Sequence, residues 1–148
     1  MQVRDFMTKN PNFCTPDTKI HEVARMMVEC NCGLIPVVES RENPIPQGAV
    51  TDRDIVCRLV AEGRNPLECT ASDSMTRPAI IINANADVEE CIDLMERHHI
   101  RRLEVVDDDG RLTGMIALAD IARVLPQERA GEVMHEVSRD IGEPATVH

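Results

Sequence analysis

Gly48-Ala49-Val50-Thr51-Asp52-Arg53-Asp54-Ile55 reads as the end of a strand running directly into a helix. The apolar alternation stops at Thr51, and Thr51 and Asp54 stand at the spacing of a helix-starting hydroxyl and the acid that reaches back to it. A second stretch, Gly114-Met115-Ile116-Ala117-Leu118-Ala119-Asp120, keeps the Gly and the Asp at a shift of 66 residues. Further upstream the register is 68. Asp5-Phe6-Met7-Thr8 falls on Asp73-Ser74-Met75-Thr76, Ile20 on Val88, Met27 on Met95, and Val37-Val38 on Val105-Val106. The two residues are lost between Val38 and Gly48, a polar stretch with Pro44 and Pro46 that suits a hairpin loop. A length change confined to a loop is expected of a structural repeat.

Each half carries the same order of elements. A short strand (Phe13 to Thr15; Ile80 to Ile82) precedes a helix with Ile20, Val23, Met26 and Met27, or Val88, Cys91, Ile92, Leu94 and Met95, on one face. Asp17 and Asn85 are placed as the residues that start these helices. Two strands in a hairpin follow, Leu34 to Glu39 with Gly48 to Thr51, and Leu103 to Asp107 with Leu112 to Ala117. The second hairpin turns at Asp108-Asp109-Gly110. Helices over Arg53 to Ala61 and Leu118 to Leu125 close the halves. The expected organisation is a repeat over 1–63, a linker over 64–70, a repeat over 71–125, and a C-terminal helix and tail over 126–148. In the last piece Ala130, Val133, Met134 and Val137 share one side, and residues 142–148 are expected to fray. One unit of this size cannot bury both faces of its sheet. The fold class is therefore α/β (α+β): two β-α-β-β-α units packed sheet to sheet about a pseudo-twofold axis, with two related clefts between them.

Composition narrows the function. The 148 residues are 43% hydrophobic and 28% charged, as in a globular protein. Sixteen Lys and Arg against 26 Asp and Glu give a net charge of −10, which opposes nucleic acid and anionic membranes as partners. The longest apolar runs, such as Ala79 to Ile82, are too short for a membrane span, and no secretory signal is seen after Met1, so a cytoplasmic location is expected. There is no Trp or Tyr to stack bases along a strand. Cys14, Cys30, Cys32, Cys57, Cys69 and Cys91 show no zinc-finger spacing. Cys30-Asn31-Cys32 reads either as a redox or metal pair or as a helix end carrying two thiols. His98 and His99 are adjacent and point apart on a helix, which argues against a metal pair. No motif pairs a nucleophile with a base, and no enzymatic role is expected.

Each half resembles a cystathionine-β-synthase (CBS) domain, and the pair resembles a Bateman module over about residues 3 to 125. The resemblance rests on Val3…Met7-Thr8, on Ile35-Pro36-Val37-Val38, and on Gly48 to Ile55, which matches the family's Gly-h-x-Thr/Ser-x-x-Asp ribose-phosphate motif. It implies a regulatory adenosyl-ligand site in which Asp54 accepts from the ribose hydroxyls and Thr51 donates to a ribose or phosphate oxygen at a helix start. The bland reading of the same pair is a capping box, and both can hold. The family also draws residues into each cleft from the other repeat. For the Asp54 cleft these are His98, His99, Arg101 and Arg102, a phosphate grip or merely a polar helix end. For the Asp120 cleft the shift maps Arg101 and Arg102 onto Gly33 and Leu34, so no cation is expected there, and Ala117 stands where Thr belongs. One competent site is expected, on Thr51, Arg53, Asp54, His99, Arg101 and Arg102; the cleft of Asp120, Gly33 and Leu34 should be weak. Glu104 replaces the family's usual Pro, and an acid near the phosphate grip favours AMP over ADP, ATP, NAD or S-adenosylmethionine. No cofactor is obligatory on this reading. The resemblance further implies a homodimer and an unnamed effector protein. The competing expectation is a ligand-free scaffold for protein association.

Overall fold

The computed structural model describes residues 1–139; the expected fraying of 142–148 lies outside the described residues. Strands are β1 (Thr8–Lys9), β2 (Leu34–Val38), β3 (Pro46–Thr51), β4 (Ile81–Asn83), β5 (Arg102–Val106) and β6 (Leu112–Ala117). Helices are α1 (Ile20–Cys30), α2 (Asp52–Ile55), α3 (Ala71–Ser74), α4 (Val88–His98), α5 (Leu118–Ala122) and α6 (Gln127–Ser138). One sheet has the order β1-β6-β5-β4, and a hairpin sheet pairs β2 with β3. The expected mixed α/β architecture of two related units plus a C-terminal helix is present.

Alternation along each hairpin sends one face to a core and the other to the opposite repeat. Ile35, Val37 and Val50 enter the first core with Ile20 and Val23 of α1. Leu103, Val105 and Ile116 enter the second with Val88, Cys91, Ile92 and Met95 of α4. The outward set, Leu34, Pro36, Ala49 and Thr51 against Arg102, Glu104, Met115 and Ala117, follows from the registers Leu34↔Thr51, Pro36↔Ala49, Arg102↔Ala117 and Glu104↔Met115. Both hairpins carry a bulge at equivalent places, Val37/Val38 and Val105/Val106.

The repeats are also interlocked, which their linear order does not reveal. The lead-in of each crosses to the other. Thr8 pairs with Met115, and at the equivalent place Thr76 bridges Ala49. Gln2 bridges Asp87, as Thr70 bridges Lys19. Val3 thus lies in the second core, while Cys69, Ala71 and Met75 lie in the first. The crossing explains the two motif glycines. A Cβ on Gly48 would stand 2.2 Å from the Thr76 carbonyl oxygen, and one on Gly114 2.6 Å from Met7 Sδ and 2.9 Å from the Thr8 carbonyl oxygen. Only Gly allows that approach.

Several local expectations shift. The strand expected at Phe13 to Thr15 is reduced to one parallel bridge, Cys14↔Val37, the counterpart of the β4–β5 pairing. The first helices start two residues late, at Ile20 and Val88 after Lys19 and Asp87, because the side chains of Thr18 and Asn83 hold turns ahead of them. The helix expected to Ala61 is regular only to Ile55 and continues as a π turn, Val56–Val60, closed by Ala61 N–H to Val56 carbonyl at 2.8 Å. That wider turn seats Leu59 in the first core. On α6, Val133 and Val137 pack on the second core, whereas Met134, expected on the same side, stays 42% exposed. Arg129 ties α6 to α4 through Glu89 at 3.1 Å and Glu96 at 3.5 Å.

Gly48→Ala is expected to cost about 1–3 kcal/mol, because the clash is with backbone and the strand cannot step aside. Gly114→Ala should cost less, since Met7 can swing and the backbone clash there, with the Thr8 carbonyl at 2.9 Å, is milder than the 2.2 Å at Gly48. Gly131→Ala, in an open position on α6, should add roughly 0.5–1 kcal/mol. Urea denaturation of the three variants checks the order.

Candidate functional site

Two clefts flank the contact between the sheets, of about 330 and 310 Å³. The first is built around Thr51 and Asp54. Asp54 Oδ2 accepts the Thr51 N–H at 3.0 Å, and Thr51 Oγ1 accepts the Asp54 N–H at 3.0 Å, so the capping box is present. It leaves the Thr51 hydroxyl proton free to donate and Asp54 Oδ1 loosely held, with the Thr76 hydroxyl at 3.4 Å and Arg58 at 4.0 Å. Arg58 is itself fixed by the carbonyls of Ser74 and Met75 at 2.9 and 2.8 Å. The helix that Thr51 caps is regular for only four residues, so its dipole adds little and an anion here depends on the arginines.

Arg101 and Arg102, exposed at the start of β5, line this cleft together with Thr51 and Asp54 from the other repeat. Arg53 does not line it: it lies on the outer side of α2 beside Val56 and Cys57. His99 does not line it either. It ends α4 in the left-handed region (φ 54°), as Asn31 ends α1 (φ 52°), with Nδ1 buried and unpaired. Thr76 is a cleft residue that the sequence reading passed over. The available signal was the repeated Met-Thr pair, since Thr8, its counterpart, lines the second cleft.

The second cleft holds Asp120 and Leu34, as expected, but not Gly33. The Gly33 carbonyl instead accepts the Asp52 N–H at 3.0 Å, and the Arg101 carbonyl does the same for Leu118 at 2.8 Å. The expectation that no cation reaches this cleft is corrected: Arg102 lines both clefts, because it starts β5 on the face between the sheets. Ala117 supplies no cap, so α5 starts without a side-chain hydrogen bond. Cys30 and Cys32, joined by a disulfide, line the same cleft.

Glu104 sits at the floor of the first cleft. It is 4% exposed, and Oε1 has no hydrogen-bond partner. Burial pushes its carboxyl from an ordinary value near 4.5 up to about 8. A carboxyl that holds its proton to higher pH weakens the repulsion of a triphosphate expected from an ionised Glu104. Cys14, from the other repeat, is pushed up to about 12 by burial and, less, by Glu104.

An interlocked pair of β-α-β-β-α units with a Thr-x-x-Asp cleft between their sheets defines a tandem-repeat architecture. The CBS domain family model matches residues 3–61 and 71–127, and the chain belongs to that family as a tandem pair. It is 37% identical over 123 residues to the uncharacterised protein MK0525 of Methanopyrus kandleri, covering 83% of this chain but 59% of that protein. The crystal structure of CBSX2 in complex with AMP is similar at 25% identity and a TM-score of 0.69, over 86% of this chain and 98% of the other. The CBS pair of MJ0100, in complex with 5′-methylthioadenosine and S-adenosyl-L-methionine, is similar at 26% identity and a TM-score of 0.73, over 84% and 98%.

The raised carboxyl makes stability depend on pH. Between about 4.5 and 8 the unfolded chain has lost the Glu104 proton and the folded chain keeps it, so stability falls with rising pH, by at most about 1.4 kcal/mol per unit, and levels off above 8. In Glu104→Gln that contribution disappears. The urea midpoint of the variant should gain on the parent from pH 5 to 8 and hold its lead beyond.

Proposed function

We propose that this chain is a regulatory module that binds an adenine nucleotide, AMP foremost, in the Thr51–Asp54 cleft, and that it catalyses nothing itself. The observation that carries the reading is the meeting, in one cleft, of a free Thr51 hydroxyl, the Asp54 carboxylate and two arginines from the opposite repeat. A carboxylate suits the vicinal hydroxyls of ribose, and Arg101 and Arg102 suit a phosphate. The adenosyl ligands in CBSX2 and MJ0100 agree with this chemistry. AMP is preferred because the cleft is at the small end of ligand pockets and because two arginines balance one doubly charged phosphate. ADP, ATP, NAD and S-adenosylmethionine are the alternatives. Among the described residues no helix is long and apolar enough to cross a membrane, and a cytoplasmic site of action goes with the reading.

The output runs through α6. Arg101 donates from Nη2 to Ser138 Oγ at 2.8 Å, so a phosphate that draws on Arg101 competes with the end of that helix. A change in how α6 lies is then read by an effector protein or by a second copy of the chain. Exposed Val28, Val56, Val60 and Leu67, all in or just after the first repeat, support a homodimer. The same residues favour the second reading, a ligand-free scaffold for protein association.

A thermal-shift panel of AMP, ADP, ATP, NAD, S-adenosylmethionine and GMP separates the two. An adenine ligand at a hundred times its Kd should add about 2.7 kcal/mol, absent with GMP, lost in Asp54→Ala and kept in Asp120→Ala. No shift with any ligand moves the function to the scaffold. Ser138→Ala removes the competitor for Arg101 and should tighten AMP binding about two- to fivefold by calorimetry; weaker binding would sink the proposed coupling to α6.

A further inference from the structure

The deepest polar group of the Asp54 cleft has no role in the reading above. Thr51, Asp54 and Thr76 are half-buried or exposed, and Arg101 and Arg102 stand in solvent; Glu104 is the buried polar side chain of the lining. Ala49, Ile80 and Met115, half-buried in the same lining, are apolar. A nucleotide keeps its phosphate at the wet, cationic mouth and its ribose on Asp54, which sends the base inward to the dry end. There the ring comes to the Glu104 carboxyl, whose buried Oε1 has no hydrogen-bond partner. Leaving such an atom unpaired is costly, and a ligand that pairs it recovers that cost.

We propose that Glu104, the buried carboxyl in the lining of the cleft, reads the base of the bound nucleotide and selects adenine. This deepens, and rests on, the reading of the cleft as an adenine-nucleotide site. A neutral carboxyl offers one O–H donor and one acceptor. Adenine offers the complement on one edge, the N6 amine beside the N7 acceptor; guanine offers two acceptors there, O6 and N7. The acid therefore makes both bonds to adenine and leaves an oxygen facing O6 of guanine. Once ionised, Glu104 has no proton for N7 and loses half the match.

Its surroundings leave Glu104 as the group that titrates in the test window. Facing it are Arg102 on its own strand, Asp54 and Arg101 in the cleft, and Cys14 from the other repeat. β2, β3, β4 and β6 bring no titratable side chain to it. Cys14 is pushed up to about 12, beyond the range used. A phosphomonoester is already almost fully ionised above pH 7.

The test is calorimetric titration of the full chain with AMP and with GMP at pH 7.0, 8.0 and 9.5, after melting curves establish that each variant folds. In the parent, AMP affinity should fall about tenfold or more from pH 7.0 to 9.5, as the proton is lost through about 8. Glu104→Gln keeps a donor and an acceptor that cannot ionise, the pairing an amide makes with adenine, so it should bind AMP with less than twofold change across the series. Glu104→Leu should lose about tenfold of the preference for AMP over GMP; should it fail to fold, the Gln series decides. A parent affinity flat with pH, or a Leu variant as selective as the parent, overturns the role of Glu104 while leaving the nucleotide site standing. A parent that binds AMP at no pH overturns the cleft reading, and this assignment with it.

Discussion

The close backbone approach at Gly48 and Gly114 is the constraint on which the rest of the structure depends. Each lead-in leaves its own repeat, crosses the pseudo-twofold axis and lies against a strand of the other, where any side chain at the glycine would collide with it. Neither core is complete without the other repeat's residues: Val3 closes one, and Cys69, Ala71 and Met75 close the other. A unit this small would be marginal alone, and the exchange makes the pair the folding unit. It also sets the cleft. Thr76 reaches Asp54 because its lead-in has crossed over.

Between the interlocked repeats the sheet faces differ in chemistry. The first contributes Leu34, Pro36, Ala49 and Thr51; the second contributes Arg102, Glu104, Met115 and Ala117. A buried carboxyl in such a contact is destabilising unless something pairs it. Burial raises the carboxyl's pKa, and holding the proton to higher pH meets part of that cost. Arg102, at the start of β5, borders both clefts, so the clefts are unequal through Arg101, which lines the first but not the second, and through Thr51 against Ala117.

Much of this was legible in the chain. The shifts of 68 and 66 exposed the repeat, and apolar periodicity placed the helices and hairpins within a few residues. Thr51 and Asp54 were found because their spacing is local, four residues at one strand–helix junction. Arg101 and Arg102 were expected in the cleft from the family resemblance, and both line it. Arg53 and His99 were misplaced, because nearness in sequence to a cleft residue does not say which way a side chain leaves the helix or its end. The strand at Phe13 to Thr15 shrank to one bridge, and the helix after Asp54 widened into a π turn. Both outcomes depend on which partners lie beside the segment, and local propensity does not encode that.

The sequence by itself determined the repeat, the alternation that gives each sheet a core face and an outward face, and the local hydrogen-bonding pair at Thr51 and Asp54. These follow from periods of 2 and 3.6 residues and from a four-residue spacing, all of which act within one segment. Tertiary structure alone decided the crossing of the lead-ins, the sharing of Arg102 between clefts, and the burial of Glu104. Those depend on contacts between residues tens of positions apart. Glu104 is the clearest case: the letter at position 104 says acid, and only the packing of two sheets around it pushes its carboxyl above the ordinary carboxylate range.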